Sequence, residues 1–184
     1  MKVLIVVDMQ NDFIDGSLGS ASAFAIVPKV MDKIKSFDGK VVFTRDTHGS
    51  DYLETNEGKN LPVPHCIFGT VGWELVDDIE QFLKEHDCEY DKYLTFNKGT
   101  FGDISLADFV GFYSDNDGSM EIELVGLCTD ICVVSNALIL KAAFPEAEIC
   151  VDASCCAGVT PEKHEAALKV MESCQIKIKN WSEA

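Results

Sequence analysis

The sequence predicts an α/β protein with three layers, in which helices cover both faces of a doubly wound, mainly parallel sheet of six strands. Two observations lead to this prediction. Short apolar runs alternate along the chain with segments of helical periodicity, the pattern of repeated β-α units. The first run, Val3–Val7, is apolar at every position, which is typical of a strand buried on both faces.

The individual elements follow from these two patterns in chain order. The apolar runs predict strands at Lys2–Val7, Lys40–Thr44, Lys92–Phe96, Glu121–Val125, Glu148–Val151 and Gln175–Ile178. Helical spacing of apolar residues predicts helices at Ile26–Ser36, Gly72–Glu85, Ser105–Gly111, Asp130–Ala143 and Pro161–Cys174. The segment Ser114–Ser119 is expected to form a plain turn. A length of 184 residues fits a single domain spanning residues 1–184.

Composition restricts the class of partner. The net charge of −16 argues against nucleic acid and anionic membranes and favours a small-molecule substrate. The N-terminal apolar run is short and has no cleavage-site pattern, so it reads as a strand and not as a signal peptide. No apolar run approaches the roughly 20 residues that span a bilayer. We therefore expect a cytoplasmic protein whose eight cysteines stay reduced, and their spacing contains no paired CxxC set for structural zinc.

Reactive side chains follow the ends of several predicted strands. In open α/β sheets, ligands bind beyond the carboxyl ends of the strands. That rule selects one group of residues at one sheet edge: Asp8, Asp46, His48, Lys98, Cys132 and Asp152–Cys156.

Cys132 is the candidate nucleophile. It lies in the predicted first turn of a helix that begins near Thr129, where unpaired N–H groups and the helix dipole favour a thiolate. Asp8 is either a turn cap or a base that accepts the thiol proton. Lys98 is either a surface lysine or the cation that keeps Asp8 ionised and stabilises developing negative charge.

The longest irregular segment, residues 46–71, is a candidate metal-binding loop. Asp46 and His48 would point to the same side of an extended chain, and His65 follows later in the loop. One carboxylate and two imidazoles suit a divalent ion, with zinc first and iron or manganese as alternatives. The other reading is a pair of loop histidines that make hydrogen bonds. Glu57, or else Glu54, would add a fourth ligand, and Glu57 is closer in sequence to His65.

Several other residues have two readings. Phe13 lines a pocket or packs in the core, and Trp73 is expected to begin a helix and to pack. His86 and His164 lie among charged residues and are expected at the surface.

Six stretches carry a family resemblance, and they occur in the family's order: Val6–Phe13, Arg45–His48, Pro64–Leu75, Asn97–Phe101, Gly126–Val133 and Asp152–Ser154. In these stretches the chain resembles the isochorismatase-like cysteine hydrolases, and among them the nicotinamidase/pyrazinamidase group. The resemblance implies hydrolysis of a small-molecule amide by a homo-oligomeric enzyme.

The resemblance also implies residue roles. Asp8, Lys98 and Cys132 would form a catalytic triad, and Asp46, His48 and His65 would bind the metal. A cis peptide at Leu127–Cys128 would direct the N–H groups of Cys128 and Cys132 into an oxyanion hole, with Phe13 flanking the substrate ring. Nicotinamidases carry a tryptophan that stacks on the substrate ring, and at that position this chain has Pro62. Leu61 or Val63 would then supply the side of the pocket that faces the ring.

Other functions remain open from the residues alone. The same fold would allow hydrolysis of carbamoyl or ureido compounds, or of isochorismate, which needs no cysteine nucleophile. A Cys–His hydrolase with His48 or His65 as base would bind no metal. A non-enzymatic thiol redox or binding module would use the pairs Cys128/Cys132 and Cys155/Cys156.

Overall fold

The computed structural model describes residues 1–89, 91–113 and 120–181, so the turn expected at Ser114–Ser119 lies outside the described residues. One six-stranded sheet runs through the middle in the order β3-β2-β1-β4-β5-β6, and every strand pair is parallel. The strands are β1 (Lys2–Val7), β2 (Lys40–Asp46), β3 (Tyr93–Lys98), β4 (Glu121–Leu127), β5 (Glu148–Ala157) and β6 (Lys177–Lys179). The predicted doubly wound α/β fold is confirmed.

Helices cover both faces of this sheet. They are α1 (Asn11–Ile14), α2 (Ala21–Ser36), α3 (Asn56–Asn60), α4 (Asp77–Glu85), α5 (Ile104–Phe112), α6 (Val134–Ala143) and α7 (Pro161–Ser173). Helices α2 and α4 pack on one face, and α5, α6 and α7 pack on the other. Short 3₁₀ turns lie at Tyr52–Glu54, Val71–Trp73 and Asp87–Glu89, and a π-helical turn at Thr129–Val133 leads into α6. Within the described residues, no helix is long and apolar enough to cross a membrane.

The central strand β1 shows why the fold has three layers. Its side chains alternate between the faces of the sheet, as the pleat requires. Leu4 and Val6 pack in the core formed with α2 and α4, whereas Val3, Ile5 and Val7 pack in the core formed with α5, α6 and α7. Because both sets are buried, the strand is apolar throughout, as the sequence indicated.

Two helices begin five residues away from their predicted starts, and α6 begins at Val134 and not at Asp130, because the π-helical turn Thr129–Val133 precedes it. Helix α2 begins at Ala21, five residues earlier, because the Ser20 hydroxyl caps it by accepting a hydrogen bond from Ala23 N. The predicted helix Gly72–Glu85 begins only at Asp77. The residues before it are held by the end of β1 instead, since Val76 N donates to Met9 O at 3.0 Å.

Strand β5 extends to Ala157, so Asp152 lies inside the strand and not after it. The prediction that Asp152 reaches the site edge is therefore wrong. Its buried carboxylate lies 2.8 Å from Lys33 Nζ and accepts a hydrogen bond from Asn180 Nδ2. Lys33 also lies 2.6 Å from Glu123, so these residues form a charged network that stabilises this half of the sheet.

Candidate active site

The structure brings Asp8, Lys98 and Cys132 together at the carboxyl edge of the sheet. Asp8 directly follows β1, Lys98 ends β3, and Cys132 lies in the π-helical turn after β4. Lys98 Nζ lies 2.7 Å from Asp8 Oδ2 and 3.5 Å from Cys132 Sγ. The side chains of Asp8 and Lys98 are completely buried. A carboxylate, an ammonium and a thiol therefore share one dry site, which suits proton transfer from a nucleophile.

Polar residues that sequence reasoning missed hold this group in place. The Thr44 hydroxyl donates to Asp8 Oδ1 at 2.6 Å, and Asp8 N donates to the Thr44 carbonyl at 3.2 Å. Asn136 Nδ2 donates to the Cys132 carbonyl at 2.8 Å from within α6. The sequence could have indicated such residues, because a polar side chain within an apolar run is buried and needs a hydrogen-bond partner.

The buried charges perturb the protonation of all three groups. Burial raises the pKa of Asp8, although Lys98 opposes the shift. Burial also disfavours the charged form of Lys98, but the surrounding groups, with Asp8 first, together outweigh burial and raise the pKa of the ammonium.

The surroundings of Cys132 act on its thiol in the opposite direction to the helix start. Burial, and then the negative charge of Asp8, raise the pKa of the Cys132 thiol well above its usual value. Burial therefore opposes the thiolate that the start of a helix favours.

A second cluster lies beside the first, formed by Asp46, His48, Glu57 and His65. Their ligand atoms all lie within 4.8 Å of one another. His48 Nε2 lies 2.9 Å from Asp46 Oδ2, and His65 Nε2 lies 3.6 Å from the same oxygen. Glu57 Oε1 lies 3.6 and 3.8 Å from the two Nε2 atoms.

Glu57 provides a test of whether these residues fit a metal ion. Its Oε1 atom is buried and has no hydrogen-bond partner among the residues that the structure describes. Such an atom is costly unless a cation satisfies it. Two imidazole nitrogens and two carboxylate oxygens around one point match the donors that zinc, iron and manganese accept, so the residues fit a divalent ion. Glu54, the alternative fourth ligand, is exposed and lies outside the cluster.

Further contacts orient these candidate ligands. His65 Nδ1 lies 2.8 Å from the Val63 carbonyl and donates to it, which orients the ring so that Nε2 faces the cluster. The buried Gln10 side chain donates to Asp46 O at 2.8 Å and accepts from Asp46 N at 2.7 Å. Burial opposes ionisation of Asp46, but hydrogen bonds from the two histidines and the charge of Lys98 hold its pKa below the usual range.

A cavity of about 420 Å³ opens over both clusters. Cys128, Cys132, Asp46, Glu57 and His65 contribute to its wall, and the rest is mostly apolar, including Phe13, Leu61, Phe101 and Ile131. This size and lining are typical of a small-molecule site. The Phe13 ring lies 5.4 Å from the His65 ring, centroid to centroid. Pro62 stands where nicotinamidases carry a stacking tryptophan, and it does not line the cavity. The neighbouring Leu61 does.

Of three other expectations from the sequence, the structure meets one and contradicts two. The Leu127–Cys128 peptide is cis, as the resemblance implied. Trp73 lies in a 3₁₀ turn and not at a helix start, and its Nε1 donates to Thr47 Oγ1 at 2.8 Å. His164 and His86 are both half-buried and hydrogen-bonded, to Thr129 and to Phe82 O respectively, so the expectation that they lie on the surface is wrong.

Comparison with known proteins agrees with this geometry. Residues 2–182 match the isochorismatase domain. The chain is 31% identical to a nicotinamidase of Saccharomyces cerevisiae, over 75% of this chain and 80% of that protein. It is 28% identical to the nicotinamidase/pyrazinamidase of Mycobacterium tuberculosis, over 97% and 98% respectively.

A solved structure extends the similarity to three dimensions. The crystal structure of the pyrazinamidase of Pyrococcus horikoshii in complex with zinc superposes with a TM-score of 0.78 at 26% identity, covering 98% of this chain and 99% of that one. Sequence and fold therefore agree over nearly the whole chain. This protein belongs to the isochorismatase family.

Proposed function

We propose that this protein is a metal-dependent cysteine amidohydrolase that converts a small-molecule amide to the acid and ammonia through a thioester, with nicotinamide as substrate and nicotinate as product. The observation that carries the proposal is the position of Lys98 Nζ, in contact with both Asp8 and Cys132 in a buried site. The nicotinamidases and pyrazinamidases among the relatives support the substrate class.

In the first half of the reaction, Asp8 takes the proton of Cys132 and the sulfur attacks the amide carbonyl carbon. The carbonyl oxygen becomes an oxyanion, which the backbone N–H groups of Cys128 and Cys132 stabilise. The C–N bond then breaks, the nitrogen takes the proton from Asp8, and ammonia leaves. The product of this half is a thioester on Cys132.

In the second half, Asp8 takes a proton from water while the water oxygen attacks the thioester carbonyl. The C–S bond breaks, the sulfur regains a proton from Asp8, and the carboxylic acid leaves. Throughout, Lys98 keeps the carboxylate of Asp8 and the reacting sulfur in one charged network. One water is consumed for each amide, and the enzyme returns to its starting protonation state.

Asp46, His48, His65 and Glu57 would hold the metal ion. Zinc is the first choice, since the Pyrococcus horikoshii pyrazinamidase was crystallised in complex with zinc, and iron or manganese are alternatives. When bound, the ion would supply a Lewis acid that holds the ring nitrogen of the substrate and so orients the amide. Phe13 would flank the ring, and Leu61 would supply the apolar wall near Pro62.

The alternatives fit the geometry less well. A Cys–His hydrolase needs an imidazole at the thiol, but Lys98 is the group in contact with Cys132, while the Nε2 atoms of His48 and His65 face Asp46 and Glu57. The net charge supports a small-molecule substrate over nucleic acid or membrane partners. A homo-oligomer is proposed from the family resemblance, and a cytoplasmic location from the cysteines, all eight of which are free.

The test is an ammonia-release assay with nicotinamide, pyrazinamide and ureido acids, with isochorismate followed by its own product. We expect nicotinamide to be hydrolysed with the highest kcat/KM. A ureido acid as the best substrate would refute the nicotinamide assignment, but the proposed hydrolysis through a thioester would stand. Absence of ammonia from every amide with metal-loaded protein would overturn the proposal.

A further inference from the structure

His164 makes a contact that the proposed reaction does not yet use. It lies on α7, and its Nδ1 atom shares a hydrogen bond of 2.7 Å with the hydroxyl of Thr129. Thr129 is completely buried and is the first residue of the turn Thr129–Val133, which carries Cys132. A half-buried histidine from a distant part of the chain thus contacts the base of the nucleophile turn.

The start of α7 is fixed to this turn at a second point. Asp130 Oδ1 accepts a hydrogen bond from Val159 N at 2.9 Å. At Gly158 a Cβ atom would lie only 2.7 Å from Asp130 Oδ1 and 2.9 Å from His164 Cβ, so the two segments pack without spare room. Since the start of α7 packs against this turn, His164 can fix the position of the Thr129 side chain.

Thr129 also adjoins Cys128, whose carbonyl organises the turn. Ile131 N and Val133 N donate to Cys128 O at 3.0 and 3.1 Å. A shift of Thr129 would therefore displace both Cys128 and the residues on either side of Cys132. Reaction rates are very sensitive to such displacements, since about 1 Å of misplacement can cost 100-fold.

We propose that His164 is a positioning residue, which holds the nucleophile turn in its reactive geometry through the hydroxyl of Thr129. This inference rests on the proposed function, because it assigns His164 a part in the same reaction. Burial lowers the pKa of His164 although Asp130 and Glu165 oppose the shift. Burial thus favours the neutral imidazole, so a neutral amide is a matched replacement.

The test compares three replacements of His164. Asparagine places a polar atom near the position of Nδ1, glutamine places it near Nε2, and leucine removes it. We expect His164→Leu and His164→Gln to lower kcat about tenfold with KM changed less than twofold, and His164→Asn to stay within threefold of wild type. As a control, His86→Leu removes a histidine bonded to Phe82 O outside the cavity and should leave kcat unchanged.

A double-mutant cycle tests the route through Thr129. Thr129→Val alone should lower kcat about as much as His164→Leu, and the double variant should lose no more than either single variant. Losses that multiply, or an asparagine variant no better than leucine, would overturn the inference. Thermal unfolding of each variant separates this effect from a general loss of the fold.

A measurement without substrate separates this inference from the proposed function. Iodoacetamide alkylates cysteine sulfur without any substrate, and mass spectrometry of the peptide that contains Cys132 would give the rate at that site. We expect His164→Leu to slow alkylation of Cys132 at least threefold and His164→Asn to leave it unchanged. If no amide is turned over but this pattern holds, the proposed function fails and the positioning role stands, whereas equal alkylation rates in all variants would refute the positioning role.

Discussion

Replacing Lys98 by methionine tests whether the buried ammonium is the group on which the site depends. Methionine keeps most of the side-chain length but removes the charge that lies 2.7 Å from Asp8 and 3.3 Å from Asp46. Removing one partner of a buried ion pair costs about 3–5 kcal/mol, since the other charge stays buried without compensation. For a domain of this size that corresponds to a fall in Tm of about 6–20 °C.

The loss should depend on pH in a known direction. Lys98 lowers the pKa of Asp8, so without it the raised pKa of Asp8 rises further. An acid whose pKa is higher in the folded than in the unfolded state binds more protons when folded, so stability falls as the pH rises. Thermal unfolding at pH 5 and pH 8 should therefore show a larger deficit for Lys98→Met at pH 8.

A second variant and a control make the test decisive. In Lys98→Met/Asp8→Asn the uncompensated carboxylate is gone, so most of the lost stability should return while activity stays absent. Lys2→Met breaks a pair with Glu121 whose side chains are both more than half exposed, and should change stability by less than about 1 kcal/mol. If Lys98→Met is as stable as Lys2→Met, the account of the buried network is wrong.

Four further predictions concern the reaction itself. Cys132→Ala should abolish ammonia release and leave the Tm within a few degrees of wild type, and any surviving turnover would exclude the thioester. Activity should fall on the acidic side as Asp8 is protonated, with a midpoint above about pH 4 because burial raises the pKa of this group, and a kcat profile flat down to pH 4 would contradict its role as base. Glu57→Gln should weaken metal retention in dialysis about 10-fold or more whereas Glu54→Gln should not, as measured by elemental analysis. Leu61→Ala should raise KM about fivefold, corresponding to the loss of about 1 kcal/mol of apolar contact, with kcat little changed.

The sequence was most informative where one local pattern determined the structure. Every position of Val3–Val7 is apolar because β1 is covered on both faces, and this pattern alone placed the strand and the carboxylate that follows it. The carboxyl-edge rule then brought Asp8, Lys98 and Cys132 to one side. Asp46 and His48 are two residues apart on an extended segment, so their proximity was also a local property.

The errors arose where distant contacts determined the outcome. The segment before α4 has helical spacing, but it lies along the end of β1, because Val76 N donates to Met9 O and Asn11 N donates to Glu74 O. His164 has charged neighbours in sequence, and only the packing of α7 on the nucleophile turn buries it. The protonation of Cys132 depends on burial and on Asp8, which no helix-terminus pattern contains.

The order of strands in the sheet also bears on how activity would return after denaturation. Asp8 follows β1 and Cys132 follows β4, and these two strands are direct neighbours in the sheet. Their pairing joins residues that are far apart in the sequence, such as Lys2 and Glu121. Parallel pairing over such a separation is slow to form, because the loop between the strands must be closed first. Helical signal should consequently recover before Cys132 meets Asp8 on refolding, which would make enzymatic turnover a late reporter of the folding reaction.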